Sequence, residues 1–248
     1  MTVSIDTITV GDARHTGISS DSIDMIITSP PYNAGIAYSK YQDSIPHQEY
    51  VSLLSDFIVE SIRILRPGGR LAINVANVGR SPYIPLNAII MQLAVRAGLL
   101  ARGEIIWDKG ESGGQSTAWG SWRSASNPVL HDSHEYILVF SKSTYQYGSG
   151  NSTIGGDDFI KYVKSVWHVQ TESAERVGHP APFPIELPYR LIQLYTYDKD
   201  VICDPFCGSG STVLAAIRAN RHYIALDIDA SYVKLAQWRV TRGVQLEM

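Results

Sequence analysis

The segment DPFCGSGST (Asp204–Thr212) joins an apolar run that predicts a strand, DVICDP, to a helical pattern, STVLAAIRAN. A glycine loop between a strand and a helix lets the backbone approach a ligand closely, and the free amides at the helix start attract negative charge. Asp227 follows in HYIALDI, roughly 20 residues beyond the loop, where a carboxylate holds ribose hydroxyls in nucleotide-binding units. The loop alone is equally a tight turn, but loop and acid together predict a nucleotide site.

The spacing of the glycines narrows the class of cofactor. Val213 and Leu214 stand where the G-x-G-x-x-G pattern of dinucleotide sites has its third small residue. A cofactor that has an adenosine but no pyrophosphate relaxes that requirement, and S-adenosylmethionine fits this description. A nicotinamide oxidoreductase is the alternative for the glycine loop taken by itself.

Alternating strand and helix patterns predict an α/β fold whose mostly parallel sheet is covered on both faces. Strands are predicted in DMIITS, RLAINVA, LLARGEIIW and HEYILVFSK, and helices in HQEYVSLLSDFIVESIRIL, closed by RPGG, and in PLNAIIMQLAVRAG. If Asp227 ends the second strand of the nucleotide unit, little chain remains for the rest of the sheet. TITVGDA and DMIITS near the N-terminus then complete it, which implies a circularly permuted order within a single domain, residues 1–248.

A second motif, ITSPPYN (Ile27–Asn33), ends the predicted strand DMIITS with two prolines. The prolines exclude helical backbone before them and offer no amide hydrogens to the sheet. Ser29 and the carbonyl of Pro30 then provide two nearby acceptors for the two hydrogens of an exocyclic amino group, and Tyr32 provides a face on which a base stacks. A base within a duplex reaches such a site only after flipping out of the stack. The alternative is a stiffened strand exit with a surface tyrosine.

TSPPY and DPFCGSGST, in this order, resemble the catalytic and cofactor motifs of the β-group DNA amino-methyltransferases, which modify cytosine N4 or adenine N6. The resemblance implies a Rossmann-like, S-adenosylmethionine-dependent methyltransferase fold with a seven-stranded, mostly parallel sheet. It also implies a target-base site and a cofactor site made of particular residues. The base-site residues are Ser29, Pro30, Pro31 and Tyr32; the cofactor-site residues are Asp12, Phe183, Pro184, Asp204, Phe206, Gly208, Gly210, Thr212 and Asp227.

The identity of the methylated base depends on one residue. Within the family, SPPY is associated mainly with N4-cytosine and DPPY mainly with N6-adenine, so Ser29 favours cytosine, with adenine as the alternative. An RNA methyltransferase with the same chemistry and a non-catalytic nucleic-acid-binding protein are further alternatives. The intact motifs speak against the non-catalytic one. Serine is too weak a base to remove the amino proton at neutral pH, so Ser29 is predicted to position the amino group.

Target recognition is predicted in two loop-rich segments, residues 110–128 and 143–178. The candidate DNA contacts are Arg80, Trp119, Trp122, Arg123, Lys161 and Lys164. For the charged residues the alternative is solvated surface charge, and for the tryptophans it is anchoring of the loop on the core. The resemblance implies double-stranded DNA as the partner, and a homodimer and a cognate restriction endonuclease as further partners.

The bulk composition is that of an ordinary globular protein, with 248 residues and a formal net charge of −3 that gives no global sign of nucleic-acid binding. With no apolar run of membrane-spanning length and no signal-peptide pattern, a soluble cytoplasmic protein is expected. The two cysteines, Cys203 and Cys207, are predicted to be small buried residues and neither nucleophiles nor ligands. The histidines, including His134, His168 and His179, lack ligand spacing, so no metal is expected.

Overall fold

The computed structural model describes residues 4–36, 43–79, 81–110, 120–172 and 184–246. The strands in these residues are β1 (Thr7–Val10), β2 (Ile23–Thr28), β3 (Leu65–Val75), β4 (Leu99–Asp108), β5 (His134–Lys142), β6 (Val166–His168), β7 (Val201–Asp204) and β8 (His222–Asp227). The helices are α1 (His47–Ile64), α2 (Leu86–Arg96), α3 (Gly156–Tyr162), α4 (Glu186–Tyr195), α5 (Ser211–Arg218) and α6 (Ala230–Leu246). None of the helices described is long and apolar enough to span a bilayer.

The strands form one sheet in the order β1-β8-β7-β2-β3-β5-β4-β6, in which β5 runs antiparallel to both of its neighbours and the other pairings are parallel. β1 pairs with β8, so the N-terminal strand completes the nucleotide unit at the C-terminal end of the chain. The mostly parallel α/β fold and its permuted order are therefore confirmed.

The described sheet has eight strands instead of the predicted seven. The additional strand, β6, lies in the loop-rich segment 143–178 and pairs with the sheet edge through Trp107 and Trp167. A strand of three residues is too short to show a period of two, so its apolar pattern could not be recognised.

The central strand β2 is buried at all six positions, as its continuous apolar run requires in a sheet covered on both faces. Successive side chains point to opposite faces, so Ile26 packs in one core layer while Met25 and Ile27 pack in the other. Helix α1 covers the first of these layers with Leu54 and Phe57, which are fully buried. The packing on both sides fixes where β2 ends, and with it the position of the SPPY motif.

The segment RPGG does follow a helix, but it belongs to β3 and is not a loop. Helix α1 ends at Ile64 and β3 begins at Leu65. The register between β2 and β3 shifts between Ile23 and Met25, because the extra residues of RPGG are accommodated in a bulge. Beyond the bulge the two strands pair regularly up to Thr28, so both end at the same edge of the sheet.

A polar cluster closes the opposite end of β2. The Tyr147 hydroxyl donates to Asp24 on β2, and lies 3.0 Å from Asp200 at the start of β7. Arg66 forms an ion pair of 2.7 Å with Asp24. The first residues of the 143–178 segment are thus fixed against the end of the sheet that lies away from SPPY, where a flipped base would not reach them.

Candidate active site

A cavity of about 520 Å³ opens at the edge of the sheet where β1, β2, β3, β7 and β8 end. Parallel strands place their carboxyl ends together, so loops that are distant in sequence meet at this edge. The lining includes Ser29, Pro30, Pro31 and Tyr32 from the loop after β2, and Phe206, Cys207, Gly208, Ser209 and Ser211 from the loop after β7. The two motifs recognised in the sequence therefore share one cavity.

The SPPY loop is held from three sides. The Tyr50 hydroxyl of α1 donates to the Pro31 carbonyl at 2.8 Å. Asn33 has a positive φ of 56°, and its side chain bonds both the amide and the carbonyl of Ile45 at 2.8 Å. Asp43 accepts the Asn33 amide at 2.8 Å. These contacts and the two prolines keep the hydroxyl of Ser29 at the cavity wall.

A hydrogen-bond network missed by the sequence analysis extends from Ser29 into the sheet. The Tyr32 hydroxyl lies 2.9 Å from Ser29 Oγ and donates to Glu135 Oε2 at 2.9 Å. Asn74 donates to the same Tyr32 oxygen at 2.9 Å and to Glu135 Oε2 at 2.6 Å. Lys109 Nζ lies 2.5 Å from Glu135 Oε1. Asn74 and Glu135 are polar residues inside the apolar strands β3 and β5, and that exception to the pattern was the signal available.

Asp227 contacts the glycine loop directly. Asp227 accepts the Gly208 amide at Oδ2 and the Asp229 amide at Oδ1, both at 2.9 Å. Burial raises the pKa of Asp227, against these hydrogen bonds, which lower it. Gly210 has a φ of +82°, and a Cβ there would lie 3.0 Å from the Cβ of Ala236 on α6, so a larger residue would strain the turn.

Three of the predicted cofactor residues lie behind the cavity wall. Asp204, Gly210 and Thr212 are buried but are not part of the lining. Asp204 Oδ1 instead accepts from Thr28 Oγ1 at 2.7 Å and from the Phe206 amide at 3.2 Å. Burial raises the pKa of Asp204 to about 6. This carboxyl group joins the last residue of β2 to the glycine loop, and so couples the two motifs.

Asp12 lies in the cavity lining together with Arg14. The Arg14 guanidinium is 2.6 Å from Asp12 Oδ2, and its hydrogen bonds lower the pKa of the Asp12 carboxyl. Pro184 is buried at the entrance to α4 and, like the three residues above, does not belong to the lining. Phe183 lies outside the described residues.

The cavity suits a ligand that has both polar and apolar parts. Ser211 lines it with a buried hydroxyl that has no hydrogen-bond partner in the described part of the chain. Gly11 approaches β8 so closely that a Cβ would meet Leu226 Cδ2 at 2.5 Å. Ile228 and Tyr232 add apolar surface beside Asp227. An adenosine with an amino-acid tail, which is the make-up of S-adenosylmethionine, fits these residues.

The candidate DNA contacts that the structure describes lie outside the cavity. Trp122 is 69% exposed. Arg123, Lys161 and Lys164 are exposed as well, and Lys161 lies over the ring of Tyr162 at 5.9 Å. Arg80 and Trp119 lie outside the described residues.

The remaining titratable side chains give no sign of a metal centre. Among the described residues, no group of three His, Cys, Asp or Glu side chains is placed to hold an ion. His134 bonds Tyr136 at 3.0 Å and His168 bonds Asp108 at 2.8 Å, while His179 lies outside the described ranges. Cys203 and Cys207 are buried free thiols, and burial raises the pKa of both.

Comparison with known proteins agrees with this geometry. The DNA methylase model of N6 and N4 methyltransferases matches residues 23–238. Type II methyltransferase M.MjaVI of Methanocaldococcus jannaschii is 32% identical over 67% of this chain and 86% of its own length. The DNA adenine methyltransferase YhdJ of Escherichia coli is 26% identical over 90% of this chain and 78% of its own.

A solved structure extends the likeness over the whole fold. A Thermus thermophilus protein, assigned as a DNA modification methylase and crystallised with S-adenosyl-L-methionine, superposes with a TM-score of 0.77 at 28% identity. The superposition covers 96% of this chain and 94% of that one. Two motifs in one cavity, a permuted sheet and a family model matched over most of the chain lead to the same assignment: the protein belongs to the N6/N4 family of DNA methylases.

Proposed function

We propose that the protein transfers a methyl group from S-adenosylmethionine to the N4 amino group of a cytosine flipped out of double-stranded DNA. The observation that carries the proposal is the shared cavity, in which the Ser29 hydroxyl and the glycine loop that ends in Ser211 face the same space. An amino-group acceptor and a nucleotide-type cofactor site in one cavity are what an amino-methyltransferase requires. The choice of cytosine rests on the serine of SPPY.

The residues that would hold the cofactor are those of the glycine loop and of the neighbouring strand ends. Asp227 would bind the ribose hydroxyls, Phe206 and Tyr232 would enclose the apolar parts, and Ser211 would offer its unpartnered hydroxyl. Bound S-adenosylmethionine supplies an electrophilic methyl group on a sulfonium sulfur. The role of the chain is to hold an amino nitrogen in line with that group.

Ser29 and the Pro30 carbonyl would accept the two amino hydrogens. The lone pair of an aromatic amino group is delocalised into the ring, which makes the nitrogen a poor nucleophile. Two acceptors on one side of it favour a more tetrahedral nitrogen, and this stabilises the transition state more than the ground state. Tyr32 would stack on the base, and its hydroxyl is fixed by Asn74 and Glu135, so the ring is already oriented.

Adenine N6 is the second candidate, because the similarity to YhdJ, named as an adenine methyltransferase, extends over 90% of this chain. The experiment that decides uses unmethylated bacteriophage DNA and labelled S-adenosylmethionine, followed by digestion to nucleosides and mass spectrometry. N4-methylcytosine is the expected product. Detection of N6-methyladenine would mean that the target base is adenine. Label on RNA alone would mean that the substrate is RNA and not DNA.

For the recognition of DNA we assign Trp122, Arg123, Lys161 and Lys164, all exposed, to contacts outside the cavity. Arginine or lysine on a phosphate releases counterions, so each such contact adds about 0.9 to the slope of log affinity against log salt concentration. Arg123→Ala and Lys164→Ala should each reduce that slope in a DNA-binding titration. An unchanged slope would mean that the residue is solvated surface charge and makes no phosphate contact.

Because several relatives are type II methyltransferases, a cognate restriction endonuclease is the proposed biological partner.

A further inference from the structure

The hydrogen-bond chain from Ser29 through Tyr32 to Glu135 has a direction that can be derived by counting hydrogens. The Tyr32 hydroxyl has one hydrogen and two lone pairs. Its oxygen has three partners at 2.9 Å: Asn74 Nδ2, Glu135 Oε2 and Ser29 Oγ. The Asn74 carbonyl oxygen, at 3.5 Å, is a more distant and weaker acceptor than Glu135. Asn74 Nδ2 is a donor, so it occupies one of the lone pairs. One hydrogen and one lone pair remain for Glu135 and Ser29.

Glu135 takes the phenol hydrogen. Two donors face its carboxylate, Lys109 Nζ at 2.5 Å from Oε1 and Asn74 Nδ2 at 2.6 Å from Oε2, and an ionised carboxylate accepts from both. As an acceptor only, it receives the hydrogen of Tyr32 as well. The phenol then has no hydrogen left for Ser29, so Ser29 donates to Tyr32. The lone pairs of the serine oxygen are left to accept hydrogens from a ligand in the cavity.

We propose that Glu135 is the final acceptor of the proton that the amino nitrogen loses during methyl transfer, and that Tyr32 and Ser29 relay it. The inference rests on the proposed function. When the nitrogen–carbon bond forms, the carbon–sulfur bond breaks and its electron pair stays on sulfur, so the nitrogen becomes positively charged. One amino proton passes to Ser29, the serine proton to Tyr32, and the phenol proton to Glu135 Oε2. The products are a neutral methylamino group and a neutral carboxylic acid, which releases its proton to solvent.

The relay explains how a serine serves in a step that needs a base. A serine hydroxyl is too weak a base to hold the proton, but it passes one on when its own hydrogen already points to a better acceptor. Glu135 is 8% exposed and lines the cavity beside Tyr32. Through the Tyr32 hydroxyl it is a positioning residue for Ser29 as well as the acceptor of the proton. Among the described residues, the titratable groups in contact with Glu135 are Lys109 after β4 and Tyr32 after β2. Glu172 lines the same cavity.

The first test replaces Glu135 by an amide of the same shape. Single-turnover methylation is measured with enzyme in excess over unmethylated bacteriophage DNA and labelled S-adenosylmethionine. We expect Glu135→Gln to slow the transfer by about 100-fold or more, within the range for removal of a general base, while the affinity for S-adenosylmethionine in calorimetry stays within twofold. Glu104→Gln, an exposed carboxylate on β4, is the matched control.

The second test interrupts the proton relay at Tyr32. It also tests the proposal if the Glu135→Gln variant does not fold. Tyr32→Phe keeps the stacking ring and removes the relay hydroxyl, so it should slow the transfer to a similar degree. Because both residues act in the same proton relay, the double variant should be about as slow as the slower single variant. Effects that multiply in the double variant would overturn the relay. So would a Glu135→Gln or Tyr32→Phe rate within about threefold of wild type.

The two proposals fail in different ways. If the wild-type protein labels neither DNA base, the proposed function is refuted, and the relay with it. If the wild-type protein labels DNA and the variants are as fast as it is, only the relay is refuted. A Glu135→Gln variant that binds S-adenosylmethionine normally, melts like the wild type and is slow in single turnover would support the relay over a structural role.

Discussion

The two ends of strand β2 contain the same pair of chemical groups in different surroundings. At the carboxyl end, the Tyr32 hydroxyl donates to Glu135, and Ser29 and a cavity lie beside it. At the amino end, the Tyr147 hydroxyl donates to Asp24 and also contacts Asp200, and none of these three residues lines the cavity. Burial and the two carboxylates raise the pKa of Tyr147 far above its usual range.

The difference shows what distinguishes a tyrosine–carboxylate pair that stabilises the fold from one suited to chemistry. The Tyr147 hydrogen bonds join three segments of the fold. In the other cluster the chain of hydrogen bonds ends at Ser29, whose oxygen keeps acceptor capacity directed into the cavity. The cluster at the cavity should therefore determine rate and the distant cluster should determine stability, and variants at each end can separate the two.

The largest effect is expected at Ser29. Ser29→Ala removes an acceptor that acts on the transition state, and such losses typically reduce the rate by about 10²- to 10³-fold. Single-turnover methylation measures it, with calorimetry of S-adenosylmethionine binding as the second reading. Ser29→Thr, which keeps a hydroxyl, is the control and should recover part of the rate. If cofactor affinity fell and the rate of the saturated enzyme did not, the role given to Ser29 would be wrong.

The next largest effect is expected at Asp227, on the cofactor side of the cavity, where affinity and not rate should change. Asp227→Ala should weaken S-adenosylmethionine binding by about 10- to 100-fold, since hydrogen bonds to a charged group contribute about 1.5–3 kcal/mol. Calorimetry measures the affinity, and Asp198→Ala, on an exposed turn before β7, is a control outside the cavity. An unchanged affinity would contradict the assignment of Asp227 to the cofactor.

The sequence predicted the two local motifs of the cavity, but it did not predict the partners of Tyr32 and Tyr147. DPFCGSGST, Asp227 and SPPY are local patterns, and each of their structures follows from neighbouring residues. Glu135 comes to Tyr32 only because β5 pairs antiparallel with β3, so that Tyr136 lies opposite Val75 and Glu135 reaches the strand end. Tyr147 reaches Asp24 across 123 residues of chain. Neither pairing leaves a signal in local periodicity, and a single polar residue in an apolar strand does not identify its partner.

The distant cluster should respond in the opposite manner. Tyr147→Phe removes one donor from the cluster, in which Asp24 keeps the Val201 amide and Asp200 keeps the Tyr197 amide. Loss of a hydrogen bond to a charged group costs about 1.5–3 kcal/mol of unfolding free energy, while the rate of methyl transfer stays near that of the wild type. Urea unfolding measures the first quantity and single-turnover labelling the second. Tyr32→Phe is the matched substitution at the cavity end, with the reverse ranking expected. A Tyr147→Phe enzyme as stable as the wild type but much slower would remove the distinction between the two ends.

The smallest effect concerns Asp204, which joins the SPPY strand to the glycine loop and has a pKa raised by burial to about 6. In the unfolded chain an aspartate has a pKa of about 3.9, so the folded state keeps the Asp204 carboxyl protonated up to a higher pH than the unfolded chain does. The unfolding free energy therefore falls as pH rises from about 4 to 6. The side chain of the Asp204→Asn variant cannot ionise, so the variant avoids this loss.

Between pH 4.5 and 7.5 the unfolding free energy of the variant should therefore rise relative to the wild type by about 2 kcal/mol, at roughly 1.4 kcal/mol for each pKa unit. Urea unfolding of both proteins at the two pH values measures the difference. A difference that stays constant with pH would mean that Asp204 is ionised at the lower pH as well, held by the Thr28 hydroxyl and the Phe206 amide.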